Sequence, residues 1–154
     1  MLAKAPRAFI NQDKPRGAGR QFTNTINHHQ TMKLAIIIIA DPKAGEEAFA
    51  RAFNALATAQ EAQKANDQVE INFIGTGTRW PAEMTKPGHP LNALYNSVRE
   101  SVQAGSCGCA AAFGATEGLK ACGIPEAKDN AVAGTPGLLS VRRYLADGWH
   151  TLLF

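Results

Sequence analysis

The stretch Ser106-Cys107-Gly108-Cys109-Ala110 holds the residue types best suited to chemistry. A sulfur nucleophile or sulfur carrier needs thiolate character, which the first turn of a helix supplies through unpaired backbone N–H groups and the helix dipole. The alanines from Ala110 onward predict a helix over Cys109–Ala121, with Gly114 and Gly118 as weak points. Cys109 then stands where that helix begins, and Gly105 and Gly108 let the backbone come close to a substrate. The competing reading is two small, inert packing residues. One residue between the cysteines is not the C-x-x-C of dithiol redox motifs, and a disulfide across it would be strained. Cys122, before Gly123, reads as structural.

A second group is Gly75-Thr76-Gly77-Thr78-Arg79-Trp80. Backbone N–H groups, two hydroxyls and the Arg79 guanidinium could cradle an anion there. Neither the dinucleotide fingerprint nor the Walker lysine is present, and the same residues also fit a tight turn with Trp80 packed on the core. Zinc on Cys107, Cys109 and a histidine matches no common spacing, with the histidines scattered at His28, His29, His89 and His150. His150 falls in a predicted strand and reads as a satisfied core residue. No Ser-His-Asp set or paired carboxylate is legible, although Asp41 and Glu83 could approach the cysteines. No metal or cofactor is expected.

These residues need elements to hold them. Lys33–Ala40, with its apolar, isoleucine-rich run from Leu34 onward, bears the mark of a strand buried on both faces in a parallel sheet. Glu46–Ala65 reads as an amphipathic helix with Phe49, Phe53 and Leu56 on its apolar stripe and Glu46 and Glu47 in its first turn. Gln68–Ile74 is the second strand, completing a right-handed βαβ unit. A long loop with one helical turn follows, then a helix marked by Leu91, Leu94, Tyr95, Val98 and Val102. Gln103–Ser106 reads as a third strand, Asn130–Ala133 as a fourth, Leu138–Ala146 as a helix and Trp149–Phe154 as the last strand. Alternating β and α elements predict a doubly wound, mainly parallel sheet of about five strands with helices on both faces. In such sheets ligands sit beyond the carboxyl ends of the strands, where the loop after Ile39, the Gly75–Trp80 loop and the cysteines should gather.

The length of 154 residues suits one domain, and 45% hydrophobic residues can bury a sizeable core. Only 19% are charged, which leaves apolar surface for a partner chain to cover. Residues 1–31 carry five basic residues against one acidic and have no apolar period, so they read as a disordered basic extension. A second reading makes Met32 the true start, to be refuted by an intact mass that includes residues 1–31. Because the remaining residues carry a net −1, the basic pI gives no support to nucleic-acid binding. Three cysteines, no transmembrane-length run and no signal-peptide pattern point to a cytoplasmic protein that does not span a membrane.

From Met32 onward the chain resembles the DsrE/DsrF-like family, related to Tus-type sulfur-relay proteins. The resemblance rests on KLAIIII, on the helix around Phe49-Ala50-Arg51-Ala52 and on Phe73-Ile74 followed by GTGTRWP. CAAAFGA from Cys109 and an aromatic C-terminal strand ending at Phe154 complete it. It implies a flavodoxin-like domain over residues 32–154, a trimer or hexamer, and a sulfur donor or acceptor protein as partner. By position it makes Cys109 the persulfide carrier and Cys107 its neighbour. Related sequences often have two residues between these cysteines where this chain has only Gly108. Three functions follow as expectations: a sulfur carrier or sulfurtransferase using Cys109 and Cys107; a small-anion-binding module using Gly75–Trp80; and a thiol redox sensor.

Overall fold

The computed structural model describes residues 31–154. Residues 1–30 of the basic extension, with the His28-His29 pair, lie outside the described residues. Five strands, β1 Lys33–Ile38, β2 Gln68–Phe73, β3 Val102–Ser106, β4 Glu126–Ala127 and β5 His150–Leu153, form one sheet in the order β4-β3-β2-β1-β5. Every neighbouring pair is parallel, and Ile36 of β1 stands opposite Ile71 of β2 and Leu152 of β5. This is the α/β sheet of flavodoxin-like type that the alternating pattern predicts.

Among the described residues six α-helices connect the strands: α1 Glu46–Lys64, α2 Trp80–Met84, α3 Asn92–Ser97, α4 Cys107–Phe113, α5 Thr116–Ala121 and α6 Val141–Ala146. The first four strands advance across the sheet in one direction, and right-handed crossovers then require their helices on one face. The step from β4 to β5 runs back across the sheet, which sends α6 to the other face. The packing follows this rule. Helices α1, α2 and α3 bury Leu56, Trp80, Met84 and Tyr95 against Ile36, Ile38, Ile71 and Phe73. Tyr144 of α6 and the preceding Leu139 pack on Ala35, Ile37 and Ala104. Ala110, Ala115, Leu119 and Ile124 form a third cluster around α4 and α5.

Several local expectations are corrected. The buried stripe of α1 is Ala48, Ala52, Ala55, Leu56, Ala59 and Ala62, while Phe53 is 47% exposed. Alanines let the helix axis lie close to the sheet, and Phe53 sits one position off that stripe. The helix expected over Cys109–Ala121 begins two residues earlier and is two helices, broken where Gly114 takes φ 68. The loop after β2 coils into a 3-10 turn, Gly75–Arg79, followed at once by α2. The helix after Leu91 ends at Ser97 and is followed by the 3-10 turn Arg99–Ser101. Asn130–Ala133 is no strand: the fourth strand is the shorter Glu126–Ala127, and Asn130 makes an isolated antiparallel bridge to Leu138. Helix α6 starts only at Val141, where the Ser140 hydroxyl accepts the Arg143 N–H at 3.3 Å as an N-cap.

Candidate functional site

Strand β3 ends at Ser106 and α4 begins without a loop, so Cys107 is its first residue and Cys109 its third. Both thiols are free and half-buried. Cys107 Sγ donates to Glu126 Oε2 at 3.6 Å. Glu126 is held there by sheet pairing, opposite Gly105. Partial burial, and then the Glu126 carboxylate, push the Cys107 thiol above its ordinary pKa, with Lys128 opposing. Two positions apart on a helix, the cysteine side chains diverge. A disulfide between them would therefore require α4 to unwind.

Gly108 has a packing reason to separate them. Its N–H donates to Gly137 O at 2.7 Å, and a Cβ placed on it would lie 2.7 Å from Leu138 Cδ2 and 3.0 Å from Gly137 O. Ser106 Oγ accepts the Leu139 N–H at 3.1 Å within the same contact. The segment Lys128–Ser140 is thereby strapped across the start of α4. One first-turn N–H of that helix serves Gly137 rather than a sulfur anion. Cys109 lies on the same face as Phe113, one turn further along.

The Gly75–Trp80 segment sits beside α4 at the carboxyl end of β2, as the fold rule requires. Its polar groups mostly serve the protein's own backbone. Thr76 Oγ1 donates to Ile39 O at 3.3 Å, Thr78 Oγ1 to Gly75 O at 2.8 Å and Trp80 Nε1 to Ala40 O at 2.7 Å. Gly77, Thr78 and Trp80 are buried, and a Cβ on Gly77 would lie 2.3 Å from Ile38 O. Gly75 takes φ 53 against the Ile39 side chain. Arg79 is placed differently. It donates to Asp41 Oδ2 at 2.8 Å and to Phe113 O at 3.1 Å, joining the ends of β1, β2 and α4. The Lys43 N–H, and then the Arg79 guanidinium, hold the Asp41 carboxyl below its ordinary pKa, with burial opposing them. Asp41 thus meets Arg79 rather than a cysteine, and Glu83 pairs with Lys86 at 2.6 Å.

The remaining candidates lie elsewhere. Cys122 caps α5, with Sγ 3.5 Å from Thr85 Oγ1 and its carbonyl accepting from Arg99. His150 is exposed on edge strand β5, which corrects its reading as a core residue. Among the described residues no group of three or more His, Cys, Asp or Glu side chains is arranged to hold a metal. No helix among them is long and apolar enough to cross a membrane. Two residues at the strand ends carry no signal in the sequence: Glu126, because a two-residue strand has no periodicity, and Lys43, because it sits within a tight turn. No protein-family model matches the chain, and no curated protein matches it.

Proposed function

We propose that the chain carries sulfane sulfur as a persulfide on Cys109, with Cys107 as a quieter neighbour. The observation that carries this reading is a free, half-buried thiol in the first turn of α4, at the carboxyl end of an inner parallel strand, β3. Partial burial, and then the contact with Glu126, disfavour the Cys107 thiolate, so the two thiols have separate parts and Cys109 is the acceptor. A donor persulfide passes its outer sulfur to the Cys109 thiolate: a Cys109 S–S bond forms, the donor S–S bond breaks, and the donor leaves as a thiolate. No net oxidation or reduction occurs.

The redox-sensor alternative is disfavoured by the divergence of the two thiols on one helix. The anion-binding alternative, as a cradle of loop N–H and hydroxyl groups, is disfavoured because Thr76, Thr78 and Trp80 already donate to backbone carbonyls. Exposed Ile39, Phe113 and Leu153 near the carboxyl ends of the strands supply apolar surface for a donor or acceptor protein, or for a trimer or hexamer of this chain in the cytoplasm.

The test is peptide mass spectrometry after exposure to a cysteine persulfide. The expected result is a gain of one sulfur on Cys109, lost in Cys109→Ala and retained in Cys107→Ala. An unmodified Cys109 in folded protein overturns the reading.

A further inference from the structure

The two edges of the sheet are built differently. Strand β4 is two residues long, its Glu126 carries a charge, and the chain runs straight from it into the Lys128–Ser140 segment. Short length and charge keep an edge from pairing with another chain. Strand β5 is longer, His150–Leu153, and carries no Lys, Arg, Asp, Glu or Pro; among the described residues it pairs with β1 alone. Hydrogen bonds fix which of its backbone groups are open. The Phe154 N–H donates to Ile37 O at 2.9 Å and Phe154 O accepts the Ile39 N–H at 2.9 Å, so Phe154 turns both groups toward β1. Alternate residues of a ladder turn the same way, which sets Leu152 and His150 toward β1 and leaves Thr151 and Leu153 facing outward. Trp149, of the outward set, donates its N–H to Tyr144 O at 2.9 Å rather than to β1. The open part of the edge is therefore the N–H and C=O groups of Thr151 and Leu153.

Two outward residues separated by one inward residue are complementary to their own antiparallel copy. Turned about a two-fold axis at Leu152, Thr151 of one chain stands opposite Leu153 of a second copy, and the two exchange both N–H···O bonds. A parallel pairing would set each outward residue between two of its partner's, an offset that a two-fold axis cannot close. The side chains agree with an antiparallel neighbour. Phe154 packs with the core under α1 and Trp149 with the core under α6, so by alternation Leu152 lies on the α1 side and Thr151 and Leu153 on the α6 side. Leu153 is 58% exposed, and the second copy's Thr151 would stand against it. Because β5 carries no charge, the pairing opposes no like charges within the strand. We infer that the β5 edge docks antiparallel on the β5 edge of a second copy of this chain, about a two-fold axis at Leu152, so that one sheet runs through both chains. Strand β3, which leads to the cysteines, lies three positions from β5 in the sheet, so this docking is independent of the sulfur-carrier reading.

The experiment is sedimentation velocity of the full chain over a range of concentrations, in the parent protein and in Leu153→Pro. Proline removes the outward N–H of residue 153 and leaves the bonds to β1 in place, as edge strands tolerate. The expected result is a reversible dimer whose dissociation constant rises at least tenfold in Leu153→Pro, with the circular dichroism of the parent retained. If the dimer is part of a larger assembly, the same substitution should divide that assembly into halves. A parent protein that stays monomeric at every concentration, or an oligomer unchanged in folded Leu153→Pro, overturns the inference. Leu152→Cys gives a second measurement that does not depend on the proline variant folding. Residues facing each other on the axis have Cα atoms about 4.5 Å apart, within disulfide reach. Mild oxidation should therefore link the two introduced thiols to each other across the dimer, as read by peptide mass spectrometry. An introduced thiol that stays free, or that joins Cys107, Cys109 or Cys122 instead, overturns the inference.

Discussion

At the scale of single residues, the two cysteines differ because of what faces them. Cys107 meets a carboxylate set in place by strand pairing, and a negative charge at that distance disfavours ionisation of the thiol. Replacing Glu126 by Gln removes the charge and keeps the side-chain size. The apparent pKa of Cys107, read from the pH dependence of iodoacetamide labelling, should then fall, while the profile of Cys109 stays in place. An unchanged Cys107 profile in Glu126→Gln would show that burial alone holds the thiol up. Residue-scale chemistry also shapes the second face of the sheet. The Tyr144 hydroxyl donates to Glu70 at 2.5 Å and accepts from Asn72 at 2.9 Å, so a polar network lies under α6 where an apolar contact would be expected.

At the scale of elements, Gly108 decides how α4 meets the Lys128–Ser140 segment. The contact is backbone to backbone, with the Gly108 N–H on Gly137 O. A methyl group there would strike both Gly137 O and Leu138, and overpacking of this kind costs about 1–3 kcal/mol. Gly108→Ala should therefore lower unfolding stability by that order in denaturant titration and raise the labelling rate of Cys107 as the segment lifts. Gly114→Ala offers a contrast. Nothing lies within 4 Å of its Cβ position, so only the left-handed backbone at φ 68 resists the change, at about 1 kcal/mol. Equal losses from the two substitutions would argue that the strap contact has no packing cost of its own.

At the scale of the whole molecule, two buried tyrosines make stability depend on alkaline pH. Burial pushes both Tyr95 and Tyr144 up to about 12, and in Tyr144 the neighbouring Glu70 carboxylate adds to the effect. The folded state binds the phenolic proton more tightly than the unfolded chain, whose tyrosines ionise near pH ~10. The stabilisation is fully present below about pH 10 and is lost as pH rises through about 12. Denaturant midpoints should fall across that window, and Tyr144→Phe should flatten the fall. Phenolate absorbance appearing at the unfolded value while the protein remains folded would contradict this. The apolar strand-end residues Ile39 and Leu153 also belong to this scale, since their exposure leaves surface that association of whole chains would cover.

Strong periodicity in a long segment is legible without a structure. The apolar run Lys33–Ala40, the nineteen-residue α1 and the alternation of Gln68–Ile74 specify a βαβ unit, and repeated alternation specifies a parallel sheet. The place of the candidate site at the carboxyl ends of the strands follows from the same rule. Short elements were not legible. A two-residue strand such as β4 has no period to detect, and its place comes from hydrogen bonds to β3. The alanine-lined face of α1 was masked by Phe49 and Phe53, because bulk in a sequence does not tell which face approaches a sheet closely. Glu126 against Cys107, and Asp41 against Arg79, are contacts between residues nineteen and thirty-eight positions apart. Local propensity carries no information at that range. Only the closing of the sheet in the order β4-β3-β2-β1-β5 brings those charges to the strand ends beside α4.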